Sequence, residues 1–266
     1  MNVLTKMMIV VLFMTLSLSA DMWSVEGAVG QWRVDSKGTI TQTTSNDVAG
    51  DLIIQDQLSQ NESNDQLYLY MVLKHPIVVI PNFRVEYVDV RSQGKNATVA
   101  LQTSFGGSST SSSNVESELS LTQYDLILFY NLIDKSMWTT VDLGIDLKYI
   151  DSRYQIKSYG VDEQSSSVTP LLYLRGRVDI PVVDIGVEAD GKYITDGTSV
   201  VYDARVKVDY TMEFVPVLQP RVELGYRMQK FKVDGENSNL LGNIFSNKSD
   251  VDMEFRGLYV GVGVVF

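Results

Sequence analysis

The residues that could do chemistry in this sequence are acids and bases set two apart. Asp203, Arg205, Lys207, Asp209 and Glu213 recur through 200–214, and Asp142, Asp146 and Lys148 do the same in 137–149. Arg175 with Arg177, Arg221 with Glu223, and the single positions Arg84 and Asp125 lie in segments of the same kind. Residues two apart on a strand share one face. So spaced, acids and bases build ladders of ion pairs, and in an enclosed space a charge left without its partner is costly. Nucleophilic chemistry is poorly supplied. The one histidine, His75, precedes Pro76 and reads as a turn residue, which excludes a Ser–His triad in the long loops. Asp146 and Asp151 form a carboxylate pair too ordinary to mark a catalytic site. Asp47, Asp51 and Asp56 read as a solvated acidic loop rather than a calcium site. The expectation is no enzyme, no metal and no cofactor.

Composition narrows the classes further. The chain has 266 residues, 22 Lys+Arg against 33 Asp+Glu, and a formal net charge of −11, which argues against nucleic acid as a partner. Without cysteine there is no disulfide, no thiolate metal site and no lipidated N-terminal Cys. Mean hydropathy is −0.01, and past residue 20 no run approaches the roughly 20 apolar residues of a spanning helix. Taken alone, hydropathy reads as that of a soluble protein. Residues 1–20 carry Lys6, then the apolar run Met7–Leu16 and Ser17-Leu18-Ser19-Ala20. That pattern predicts a cleaved Sec-type signal peptide and a single domain over 21–266.

The elements that must hold the charges repeat at period two. In 200–214, Val200, Tyr202, Ala204, Val206, Val208, Tyr210, Met212 and Phe214 oppose a polar face. Similar alternation occupies about 22–34, 66–75, 82–91, 117–131, 137–149, 172–180, 182–194, 218–232 and 251–266. Ten strands follow, many longer than the about 5–6 residues usual in globular sheets. The connections alternate between short ones, at 75–81, 132–136, 179–181 and 215–217, and longer polar ones, at 35–65, 92–116, 150–167, 195–199 and 233–250. This is the pattern of an all-β, transmembrane, antiparallel up-and-down β-barrel of about ten strands, eight and twelve being the neighbouring even counts. A secreted β-sandwich is the competing reading, since it also alternates.

Two features favour the barrel. Phe83, Tyr130, Phe214 and Phe266 fall near the short turns, and Tyr124, Tyr149 and Tyr202 fall toward the long loops, as two aromatic girdles would. The chain ends GLYVGVGVVF, with Leu258, Val260, Val262, Val264 and Phe266 at alternate positions. This resembles the C-terminal signature of Gram-negative outer-membrane barrels. The resemblance implies recognition by periplasmic chaperones and the barrel-assembly machinery, and surroundings of outer-membrane lipid and lipopolysaccharide. The segments GTITQ (38–42), KHPIVVIPNFRVEY (74–87), YDLILFYNLID (124–134) and DLGIDLKYID (142–151) also resemble a small uncharacterised family of such barrels, which carries no activity to transfer.

On this register the interior face gathers Arg84, Asp125, Asp142, Asp146, Lys148, Arg175, Arg177, Arg205, Lys207, Asp209, Glu213, Arg221 and Glu223, joined by Glu26, Lys74, Glu86, Asp184, Glu188 and Arg227. Ten strands enclose little more space than side chains fill. The expectation is a charge-networked, closed lumen and a structural or surface-interaction role. The alternative is a narrow channel or transporter for small or amphiphilic solutes. The apolar run Ile77-Val78-Val79-Ile80 fits either strand extension or a place at the membrane interface.

Overall fold

The computed structural model describes residues 23–44, 47–53, 64–96, 99–100, 111–112, 115–136, 138–156, 161–212, 218–234 and 249–266. The segment expected to be a signal peptide, Phe214, Glu213 and most of the long loops lie outside them. Ten antiparallel strands form the wall: β1 (Ser24–Thr44), β2 (Asn64–Lys74), β3 (Asn82–Asn96), β4 (Val115–Ser136), β5 (Thr139–Ile156), β6 (Val161–Ile180), β7 (Ile185–Thr195), β8 (Val200–Thr211), β9 (Gln219–Val233) and β10 (Ser249–Val265). Each pairs with the next in sequence, and β10 returns to β1 from Glu26↔Val265 to Gln42↔Ser249. Val25 and Phe266 exchange backbone hydrogen bonds at the foot of that closing seam. The sheet is therefore a closed up-and-down barrel with no free edge along its lower half. No described helix is long and apolar enough to cross a membrane; the crossing elements are strands.

Outward positions within one band are apolar. On β5 these are Val141, Leu143, Ile145, Leu147 and Tyr149, nine residues end to end. At about 3.3 Å per residue and about 40° tilt they cover roughly 23 Å, the height of a lipid-facing belt. Tyr87, Tyr124 and Tyr149 lie side by side across three strands at its upper edge, with ring centroids 5.1 and 6.1 Å apart.

Above that edge the two faces exchange polarity while the strands continue. On β10, Leu258, Val260 and Val262 face lipid, but higher in the same strand Val251, Met253 and Phe255 face inward and Asp252, Glu254 and Arg256 face out. The same exchange falls between Tyr87 and Val88 on β3, Tyr149 and Ile150 on β5, and Val201 and Tyr202 on β8. The apolar residue switches face because the surroundings switch: lipid outside below, water outside above. The molecule thus has two storeys, a membrane storey with a polar interior and an outer storey with an apolar one.

Strand ends differ from the sequence-based expectation. Residues 132–136 continue β4 through two register irregularities rather than forming the turn; Trp138, in a turn just before β5, has φ 63°. Residues 150–156 and 161–167, expected as loop, are paired strand. β1 likewise runs on to Thr44 and pairs there with Asp47–Ile53. The outer storey is built from these extensions.

Candidate functional site

The membrane storey supplies the candidate site, its interior. Nine cationic side chains are buried there: Arg84, Lys148, Arg175, Arg177, Lys192, Arg205, Lys207, Arg221 and Arg227. Nine carboxylates are buried with them: Glu86, Asp125, Asp142, Asp146, Glu188, Asp190, Asp203, Asp209 and Glu223. The charges lie on β3–β9, because each strand presents every second residue inward.

Near the periplasmic mouth, Arg221 pairs with Glu26 at 2.7 Å and Asp209 at 3.1 Å, and Arg177 reaches the same Asp209 at 2.6 Å. Arg175 bridges Asp142 at 2.7 Å and Glu188 at 2.6 Å. Glu188 is a centre: Arg177, Arg205, Lys207 and Arg84 also approach it, between 3.3 and 3.7 Å. One level higher, Lys192 joins Glu86 at 2.7 Å to Asp125 at 2.5 Å, and Lys148 joins Asp125 at 2.7 Å to Asp203 at 3.3 Å. Arg227 closes on Asp203 at 2.6 Å. Gln123 and Gln229 bond to each other and to Lys148 and Asp203, finishing the polar layer.

The wall behind β1, β2 and β10 contributes rings in place of charges. The Arg227 guanidinium lies 5.4 Å from the Trp32 ring and 5.0 Å from Tyr68, and Arg84 lies 4.6 Å from Tyr70. The Tyr68 hydroxyl accepts from Arg205, and the Tyr70 hydroxyl accepts from Lys207 at 2.8 Å. A Cβ on Gly261 would come 3.0 Å from a carboxylate oxygen of Glu223, so the glycine leaves room for that pairing. Guanidinium groups stacked on rings and forked onto carboxylates satisfy charge in a space that bulk water does not fill. Asp146 is the exception. Neither of its oxygens has a hydrogen-bond partner, and its nearest cation, Lys192, is 3.9 Å away.

Directly above the polar layer sits the apolar core of the outer storey. Val34, Val88, Val90, Leu119, Leu121, Ile150, Phe231, Val233, Val251, Met253 and Phe255 form one buried cluster. Phe231 and Phe255 meet edge to face, with centroids 6.2 Å apart. Below the network the lumen opens into a vestibule of about 850 Å³, facing the periplasmic end. Arg175, Arg177 and Arg221 form its floor, and Lys74, Asp134, Asp179 and Asp184 line its sides.

All the sequence-predicted network residues among the described ones reach the interior; Glu213 is outside the described residues. Two residues of the wider face line the lumen below the network and take no part in it. Lys74 and Asp184 belong to the vestibule, because Lys74 ends β2 and Asp184 sits in the 181–184 turn with φ 54°. Asp190 and Lys192 are network members absent from the sequence reading, and Asp203, named there on the polar face of 200–214, is absent from its list of interior residues; each shares parity with a named neighbour, Glu188 or Arg205. The outward face of β7 is diluted by Ala189 and Gly191, so its alternation is weak there. The inward rings Trp32, Tyr68, Tyr70, Tyr173 and Tyr259 were also missed. An aromatic on a strand does not declare its face.

His75 lies in the 75–81 turn. Its Nδ1 accepts from the backbone N–H of Ile77 at 3.2 Å and its Nε2 is 3.0 Å from the Pro81 carbonyl, so the ring braces the turn. No cluster of three or more potential metal ligands occurs among the described residues.

No family model matches the chain, and no curated protein matches it in sequence. Solved structures do match. The outer membrane protease OmpT from Escherichia coli aligns with a TM-score of 0.53 at 12% identity, over 94% of this chain and 99% of that one. The translocator domain of the autotransporter NalP from Neisseria meningitidis aligns at 0.43 and 11% identity, over 98% and 94%. Ail of Yersinia pestis aligns at 0.34 and 8%, over 92% and 99%. The chain has the fold of a Gram-negative outer-membrane β-barrel: closed, ten-stranded and all-β. At these identities the likeness is one of fold.

Proposed function

We propose that this protein is a closed, non-catalytic outer-membrane barrel with a structural or surface-interaction role. On this reading a Sec-type signal exports it. Periplasmic chaperones and the barrel-assembly machinery then read the Leu258–Phe266 strand, and the barrel sits among phospholipid and lipopolysaccharide. Its working surface is the polar outside of the outer storey with the loops that spring from it. The observation that carries this is the stacked filling of the lumen. A conduit must pass both a layer whose charges already hold one another and an apolar core from Val34 to Phe255. A second reading, a narrow channel, draws on the vestibule, which brings solvent as far as Arg175, Arg177 and Arg221.

Swelling of vesicles that contain the refolded protein tests the proposal. Small sugars and amino acids are expected to enter no faster than into protein-free vesicles. Uptake that scales with protein content and falls with solute size would favour the channel.

A further inference from the structure

The turn between β2 and β3 has an unusual make-up for the periplasmic end of a barrel. Val78 and Val79 are 86% and 85% exposed, with Ile77 and Ile80 half exposed beside them. Four apolar side chains in a turn surrounded by water would be a standing liability. The turn is also rigid: His75 braces it from within, Ile80 N–H bonds Ile77 O at 3.2 Å, and the Asn82 side chain accepts from His75 N–H at 3.0 Å.

Its direction is fixed by one bond. The hydroxyl of Tyr130 donates to the carbonyl of Val79 at 2.9 Å. Tyr130 is an outward residue of β4, two positions below Leu128 on the lipid-facing row, and it is 46% exposed. The turn therefore bends sideways against the outer wall and away from the mouth. Leu132 and Ile133 extend the same apolar surface down β4, at 60% and 43% exposure. The acids of this rim, Asp134, Asp179 and Asp184, line the vestibule instead. Ile77, Val78, Val79 and Ile80 do not line the vestibule; they lie outside the mouth, in continuation of the lipid-facing belt.

We propose that the Ile77–Ile80 turn is a membrane anchor, held by Tyr130 so that Val78 and Val79 insert into the inner leaflet of the bilayer at headgroup depth. Amphipathic rings such as Tyr130 favour that depth, with the ring in the apolar phase and the hydroxyl bonded at its edge. The proposal rests on the membrane reading of the belt, and the test separates the two.

The natural chain has no cysteine, so a single introduced one takes a spin label uniquely. Val78→Cys is labelled in protein refolded into phosphatidylcholine–phosphatidylglycerol vesicles, and its collision rates with oxygen and with a water-soluble nickel chelate are compared. Leu126→Cys, on the belt, and Thr198→Cys, in the tight loop between β7 and β8, are the references, and heat-modifiable gel mobility confirms folding of each. The expected result is an oxygen-to-nickel ratio at position 78 below that at 126, which lies deeper, and several-fold above that at 198. Tyr130→Phe is expected to move position 78 toward the aqueous value while leaving 126 unchanged. A position 78 that behaves like 198 while 126 remains in lipid overturns the anchor and leaves an apolar turn free for a periplasmic protein. A position 126 that is itself aqueous overturns the membrane reading.

Discussion

Replacing Lys192 by methionine removes the cation that holds Glu86 and Asp125 together, at 2.7 and 2.5 Å, and keeps most of the side-chain volume. Breaking a buried ion pair from one side costs about 3–5 kcal/mol. Here each carboxylate keeps another partner, Arg84 at 2.6 Å from Glu86 and Lys148 at 2.7 Å from Asp125, so the lower end applies. About 3 kcal/mol lowers the folding equilibrium constant roughly a hundredfold. The assay is urea unfolding of the protein in vesicles, followed by tryptophan fluorescence and heat-modifiable mobility. The double variant Lys192→Met with Asp125→Asn removes the stranded charge together with its partner, and is expected to regain more than half of the loss. A single-variant shift below about 0.5 kcal/mol, the range of an ordinary surface change, would refute the reasoning. It would mean that water solvates Glu86 and Asp125 and that the lumen is wet.

Three further outcomes follow from the same geometry. Asp146→Asn is expected to change stability by less than about 1 kcal/mol in the same assay, because no hydrogen bond is lost and the nearest cation is 3.9 Å away. Phe255→Ala opens a cavity in the outer storey and is expected to cost about 3 kcal/mol, with the barrel still heat-modifiable because the membrane belt is untouched. Above the membrane, hydrogen bonds from Arg153 hold the Asp162 carboxyl at about 2, below its ordinary value of 3.8. What this pair contributes is present above the ordinary value and is lost as pH falls toward 2. Both groups are exposed, so Arg153→Ala is expected to leave the urea midpoint at neutral pH unchanged and to raise the Asp162 titration midpoint seen by NMR.

Strand identity was legible because alternation is a local property: Val206, Val208 and Tyr210 against Arg205, Lys207 and Asp209 need no knowledge of the rest of the chain. Parity alone assigns Arg84 on β3 and Arg221 on β9 to the inward face without any contact being known, and both side chains are buried. What parity could not supply was the environment of each face. The exchange at Tyr149-Ile150 reads in sequence as the end of a strand, and 150–167 accordingly read as loop. Only the continued pairing of Ile150–Ile156 with Val161–Ser167 shows that the surroundings changed and the strand did not. The aromatic wall of Trp32, Tyr68 and Tyr70 was hidden for a related reason, since a ring suits lipid, a girdle or a stacked guanidinium equally well. The pairings themselves depend on which strands face each other across the lumen. Lys192 on β7 meets Glu86 on β3 only after closure.

The central claim is that the lumen is filled from the mouth network to the outer apolar core. Planar-bilayer recording of the refolded wild-type protein tests it most directly, with insertion verified by heat-modifiable mobility of the same preparation. The account predicts a baseline without unitary current steps at either polarity. Reproducible steps of constant size, present in the wild type and scaling with salt concentration, would contradict it.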